Sequence, residues 1–243
     1  MALMHHRGMT AGPTHLNTPL IRLAGALWLL AGIAYLVSEA IAAAAFPGYS
    51  YAHNYISDLG VPYDCIIDGR EIHSPMAAVM NIGGFILDGV LSAGATIAAM
   101  FAMGARLRAG TWFLVFAIVH SLGSILVGTV HSGAREVAAG LEQFHVIGAA
   151  MAIIGGNCAV IAAASLSRGL GASPVYRIAS RGLGICGLLC LALLEACGAT
   201  GLAIIPDGIL ERGSVYAITI WKVLTGLTIL VASRSLHRRA RAN

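Results

Sequence analysis

Long apolar runs separated by short polar connections set the pattern of this chain. The runs fall at roughly 20–46, 76–103, 111–130, 141–166, 182–203 and 213–233. Each reaches the ~20 residues that a helix needs to cross about 30 Å of hydrocarbon, so the pattern predicts six transmembrane helices. The connections are unequal. Most are short turns, whereas residues 47–75 form a long polar segment between the first and second runs. The stretch 1–19 carries Pro13, His5, His6 and His15 and has no short apolar core with a small-residue cleavage site, so the first span is expected to be retained. The expected organisation is a cytoplasmic segment 1–19, one membrane domain 20–233 and a basic tail 234–243.

Composition agrees with that pattern and excludes several classes. Of 243 residues, 58% are hydrophobic and only 11% charged, with 30 Gly, against about 25% charged in a soluble domain. Mean hydropathy is +0.81. The net charge of +4 is scattered among the connections and forms no basic face, which argues against nucleic acid as a partner. Four of the five cysteines, Cys158, Cys186, Cys190 and Cys197, lie in apolar runs, so they read as packing residues and suggest no disulfide framework.

Charge does report sidedness, because Lys and Arg are retained on the cytoplasmic side of a membrane. With the N-terminus inside, Arg7, Arg22, Arg106, Arg108, Arg168, Arg177, Arg181, Arg234, Arg238, Arg239 and Arg241 are cytoplasmic, against Arg70, Arg135 and Arg212 outside. The expectation is an all-α, six-helix bundle in the cell (inner) membrane with both termini in the cytoplasm. Polar residues then concentrate on the outer face.

Six ionisable groups fall one to a span: Glu39, Asp88, His120, His145, Glu195 and Lys222. A charge at the bilayer centre costs at least ~2.5–3.5 kcal/mol, so each needs a partner, a cavity or a neutral form. Glu39, Glu195 and Lys222 lie roughly 10–13 Å from the outer end of their spans, with His145 nearer the end and Asp88 and His120 deeper. Similar depths suggest an outward-opening polar cavity in which these groups neutralise one another. Equal depth on consecutive antiparallel helices also suggests a plain ion pair between Glu195 and Lys222. Helical spacing puts His120, Ser124, Gly128 and His131 on one stripe, pairs Asn81 with Asp88 and Glu142 with His145, and sets Thr219 and Thr225 on either side of Lys222.

Outside the first span stands the string His53-Asn54-Tyr55-Ile56-Ser57-Asp58-Leu59-Gly60. Ser57 and Asp58 suit backbone capping, and Gly60 suits a tight turn. The string either folds the loop over the bundle or brings Asn54, Tyr55, Ser57 and Asp58 to the cavity mouth. With Asn81-Ile82-Gly83-Gly84 and His145-Val146-Ile147-Gly148-Ala149, the NYISDLG segment resembles a family of small multi-pass membrane proteins catalogued as domain of unknown function 998. That resemblance covers most of residues 20–233 and implies topology without a reaction.

Two kinds of outer-leaflet enzyme fit these residues. His120, His131 and His145, with Asp58 or Asp88, form a candidate Zn²⁺ site whose bound water attacks a lipid ester or amide. This looks like the membrane hydrolase superfamily containing alkaline ceramidases, but the paired His near the end of that family's last helix is absent here, where the sixth span carries Lys222. Without metal, Glu39, Asp58, Asp88 and His145 are the candidate acid–base residues, and Asn54, Tyr55, Ser57, Asn81, Glu195 and Lys222 the candidate substrate contacts, for a lipid or isoprenoid-like molecule. Transport by a proton-coupled or lipid-binding carrier, haem ligation by His120 and His145, and a non-catalytic accessory role are the alternatives.

Overall fold

The computed structural model describes residues 18–67, 69–104, 108–170, 172–202 and 204–242, the side chains of 108–109, 169 and 234–242 excepted. Arg7, His5, His6, Pro13, His15, Asp68 and Arg106, and the tail side chains counted for sidedness, lie outside the described residues. Among the described residues six helices are long and apolar enough to cross a membrane: α1 (Thr18–Ala45), α2 (Val79–Met103), α3 (Arg108–Thr129), α5 (Glu142–Gly169), α6 (Pro174–Thr200) and α7 (Asp207–Ala242). The short helix α4 (Ala134–Ala138) lies between α3 and α5.

The long helices close a ring in chain order. Helix α1 packs on α2 and α7, α2 on α3, α3 on α5, α5 on α6, and α6 on α7, while α5 also reaches α7 across the middle. Lipid tails are as apolar as the helices, so close approach of backbones at small residues has to drive association. A Cβ on Gly123 of α3 would stand 2.4 Å from the Ala152 nitrogen and 2.5 Å from the Gly148 oxygen of α5. Gly226 of α7 is equally tight against the Gly25 carbonyl of α1, at 2.5 Å.

Two helices begin earlier than the apolar runs suggest. Helix α6 starts at Pro174, where Ser173 caps it by accepting from Tyr176 N at 3.2 Å. Ser followed by Pro is a strong N-terminal signal, and Arg177 and Arg181 lengthen the polar first turns without ending the helix. Helix α7 starts at Asp207, which places Arg212 within the helix and not in a connection.

Helix α2 opens as a π-helix over Val79–Ile86 before continuing as an α-helix from Leu87. Wider turns displace carbonyls from the regular ladder and are frequent at functional sites. Ser124 of α3 supplies a donor to one of them, Phe85 O, at 2.8 Å.

The long loop is not all coil. It contains a 3₁₀ turn at Ser57–Gly60 and a hairpin of β1 (Cys65–Ile67) and β2 (Arg70–Ile72), antiparallel with Cys65 opposite Ile72. The bundle is therefore helical with a small β-hairpin, a departure from a purely helical chain. Ile56, Leu59, Val61 and Ile72 are buried against Tyr35, Met80 and Phe85, which fastens the loop over one end of the ring.

Candidate functional site

Three polar clusters stack beneath and within that loop. In the uppermost, Arg212 of α7 donates from Nε to Glu39 Oε1 of α1 at 3.0 Å and from Nη1 to the carbonyls of Tyr51, Asn54 and Gly208 at 2.8, 2.9 and 3.1 Å. Its Nη2 donates to Tyr49 Oη, and Tyr216 Oη donates to Glu39 Oε2 at 2.9 Å. Glu39 is only 1% exposed. Both of its carboxylate oxygens accept hydrogen bonds from α7, and Arg212 carries the link on to the loop.

Asp58 holds the second cluster. Its Oδ2 accepts from Arg70 Nη1 at 2.6 Å, Tyr55 N at 3.1 Å and Asn54 Nδ2 at 3.2 Å. Burial pushes its carboxyl above the usual range, against the pull of Arg70 and these hydrogen bonds. Asn54 Oδ1 caps Ser50 N at 3.0 Å, and Tyr55 donates to Asp207 Oδ2 at 2.9 Å with the Arg70 guanidinium 4.8 Å from its ring centroid. Asn81 Nδ2 donates to Gly60 O at 2.8 Å, and a Cβ at Gly60 would meet Asn81 Oδ1 at 2.5 Å, so this contact needs glycine. Asn54, Tyr55, Asp58 and Asn81 therefore hold the NYISDLG turn down on the bundle.

Below lies a cavity of about 60 Å³, lined among others by Ile56, Ser57, Asp88, His120, His145, Glu211 and Lys222. Its floor is a closed triad. Lys222 Nζ lies 2.6 and 2.8 Å from the two Asp88 oxygens and 2.8 Å from His120 Nε2, so its three hydrogens have three acceptors. His120 Nδ1 faces Ala152 O at 2.7 Å and must carry a hydrogen, because a carbonyl only accepts. Nε2 is then the lone-pair nitrogen, which fits donation from the ammonium. The triad is a neutral set of charged and polar groups, each satisfied inside the bundle.

His145 differs from His120. Its Nδ1–H donates to Val130 O at 2.6 Å, while Nε2, the basic nitrogen of this tautomer, has no hydrogen-bond partner among the described residues. His145 lines the cavity together with Ser57 and Glu211. Glu211 Oε2 accepts from Ile56 N at 2.5 Å.

Several expectations are corrected. Lys222 pairs with Asp88 and His120 and not with Glu195, which stands exposed on α6. Depth along a helix does not determine rotation about its axis, and α6 turns its Glu195 side outward. The three histidines do not converge either: His131 faces Glu136 at 3.5 Å in the α4 region, while carbonyls hold the Nδ1 atoms of His120 and His145. Among the described residues no group of three or more His, Cys, Asp or Glu side chains is placed to hold a metal ion. The zinc site is thereby withdrawn. A haem between His120 and His145 also lacks an axial nitrogen on His120, whose Nε2 is spent on Lys222.

Sequence reasoning missed Arg212, Glu211, Tyr49 and Tyr216. The first two sit in the polar opening turns of α7, and the missed signal was Asp207 as an acidic helix start, which would have moved both into the span. Tyr49 and Tyr216 carry no pattern of their own. Trp28 and Trp221 are buried packing residues, whereas Trp112 is exposed on the bundle surface.

No curated protein and no solved structure matches the chain. The family model described as Protein of unknown function (DUF998) matches residues 29–228, most of the chain and all the clusters above, and the chain belongs to that family.

Proposed function

We propose that this multi-pass membrane protein is a metal-free acid–base enzyme acting at the membrane face covered by the loop, on the reactive end of a lipid or isoprenoid-like molecule. The observation that carries the reading is His145, a residue of the cavity wall whose Nδ1 is held by Val130 O and whose Nε2 has no hydrogen-bond partner among the described residues. His145 takes a proton from an attacking water as an ester or amide carbonyl is attacked. The carbonyl–heteroatom bond then breaks, and the same imidazole returns the proton to the leaving group. About 60 Å³ is room for on the order of four waters, so only a small reacting group enters and the apolar body stays in the bilayer. The excess of Arg near the termini supports cytoplasmic ends in the cell membrane, which puts the loop and cavity on the outer side.

Protein reconstituted in vesicles of phosphatidylethanolamine, phosphatidylglycerol and a polyprenyl ester tests this by mass spectrometry of the lipids. Wild type is expected to convert one class and His145→Gln to convert none. Equal turnover by both, or none by wild type across the panel, contradicts the reading. A second reading, proton-coupled transport, is favoured by one observation, that Lys222 and His120 line a further cavity on the far side of the triad.

A further inference from the structure

Beneath the triad lies a cavity of about 20 Å³, lined by Ser92, Thr96, His120, Lys222 and the aromatic rings of Trp28, Phe113 and Trp221. Ser92 and Thr96 continue the stripe that begins at Asp88, in steps of four along α2. They are 2% and 1% exposed, and neither hydroxyl has a hydrogen-bond partner among the described residues. Buried hydroxyls are rarely left unpaired, and the volume suits one water molecule, which needs two to four polar partners. Ser92 and Thr96 supply two such partners, with Lys222 and His120 lining the same cavity.

We propose that this cavity is a water site through which the Asp88–Lys222–His120 triad exchanges protons with the opposite half of the bundle, closed there by an aromatic seal. Lys222 turns one Nζ hydrogen from His120 Nε2 to the water and gives up that proton, the water passes one of its own onward, and Lys222 regains a proton from the upper cavity and its contact with His120. Each group ends as it began, and one proton has moved. Beyond the water, Trp28, Phe113 and Trp221 stand between this cavity and a larger, mostly apolar one of about 330 Å³ that all three rings also line. Their centroids are 5.5, 6.1 and 6.3 Å apart in edge-on and tilted arrangements, and Trp221 Nε1 is pinned to Ser180 Oγ at 3.2 Å. Tyr176 and Thr225 hydroxyls, 2.9 Å apart, continue the polar path on the far side of the seal. The proposal does not involve His145, so it stands or falls apart from the enzymatic reading.

The test is proton entry into vesicles of phosphatidylethanolamine and phosphatidylglycerol containing a pH-sensitive dye, driven by a potassium diffusion potential. Wild type is expected to conduct little, Phe113→Ala several-fold more, and Phe113→Ala with Ser92→Ala and Thr96→Val no more than wild type. A Phe113→Ala rate equal to wild type, or an elevated rate that survives loss of both hydroxyls, overturns the proposal. Thermal unfolding in detergent gives a second arm that needs no flux. Removing two hydrated hydroxyls lowers Tm, whereas removing two dry, unpaired ones leaves it unchanged or raises it, and either of the latter results overturns the water site.

Discussion

Arg212 on the last spanning helix meets Glu39 on the first at 3.0 Å, and the same guanidinium holds the carbonyls of Tyr51 and Asn54 in the loop. One side chain thus joins two distant helices to the segment that roofs the cavity. Breaking a buried pair leaves a charge without compensation, at a cost of roughly 3–5 kcal/mol. Arg212→Leu is expected to lose about that much stability, measured by unfolding in detergent, and Glu39→Gln in the same chain to recover a large part of it. Equal, additive losses would show that the two residues act separately.

The Lys222 triad follows the same logic with a different partner set. Lys222→Met strands the Asp88 carboxylate and is expected to destabilise by several kcal/mol, on the order of 3–5, whereas Lys222→Met with Asp88→Asn costs much less. Glu195→Gln is expected to shift Tm little, because Glu195 is exposed. A large effect at Glu195 with none at Asp88 would restore the pairing that equal depth suggests.

Two loop-side carboxyls give opposite pH responses. Asp58 is pushed up by burial, so its folded form binds a proton more readily than the unfolded chain. Its contribution to stability is present in acid and is lost as pH rises through the folded value. The Tm advantage of wild type over Asp58→Asn therefore grows as pH falls toward the carboxylate range. At Glu136, burial also pushes upward, but the hydrogen bond from Tyr63 and the nearby His131 outweigh it and hold the group below its usual value. Its contribution is present above the ordinary carboxylate range and is lost as pH falls, so the advantage over Glu136→Gln shrinks in acid. Tm measured against pH for both pairs checks the two signs, and parallel curves would refute them.

Packing of α3 on α5 depends on Gly123. A methyl group there would press on backbone nitrogen and oxygen of α5, neither of which is a flexible chain end that can swing aside. Gly123→Ala is expected to cost ~1–3 kcal/mol or more and to disturb His145 through the shifted α5. Gly182→Ala, which would meet nothing within 4 Å, is the control and should leave Tm unchanged.

The spans were legible in the sequence because twenty consecutive apolar residues have few alternatives in lipid, and the loop string was legible as a turn because Asp58 binds the nearby Tyr55 amide, whereas Gly60 keeps a negative φ and is constrained by the approach of Asn81 instead. Partnership was much less so. Counting residues gives height but no azimuth, so equal depth suggests a Lys222–Glu195 pair and a three-histidine metal site that the rotation of the helices does not form. Arg212 was missed for a related reason: a helix that opens on Asp207 and Glu211 looks like a connection until its first turn is recognised. The unpaired hydroxyls of Ser92 and Thr96 carry no sequence signal, since their neighbours come from helices far along the chain.

Diethyl pyrocarbonate labelling of the purified protein in lipid nanodiscs, mapped by mass spectrometry at about pH 7, tests the site most directly, because the reagent acylates an accessible, unprotonated imidazole nitrogen. His145, a cavity-lining residue whose Nε2 has no hydrogen-bond partner among the described residues, is expected to be modified, and His120, whose two nitrogens are engaged by Ala152 and Lys222, to be spared. A His145 as protected as His120, or both modified at one rate, would contradict the account.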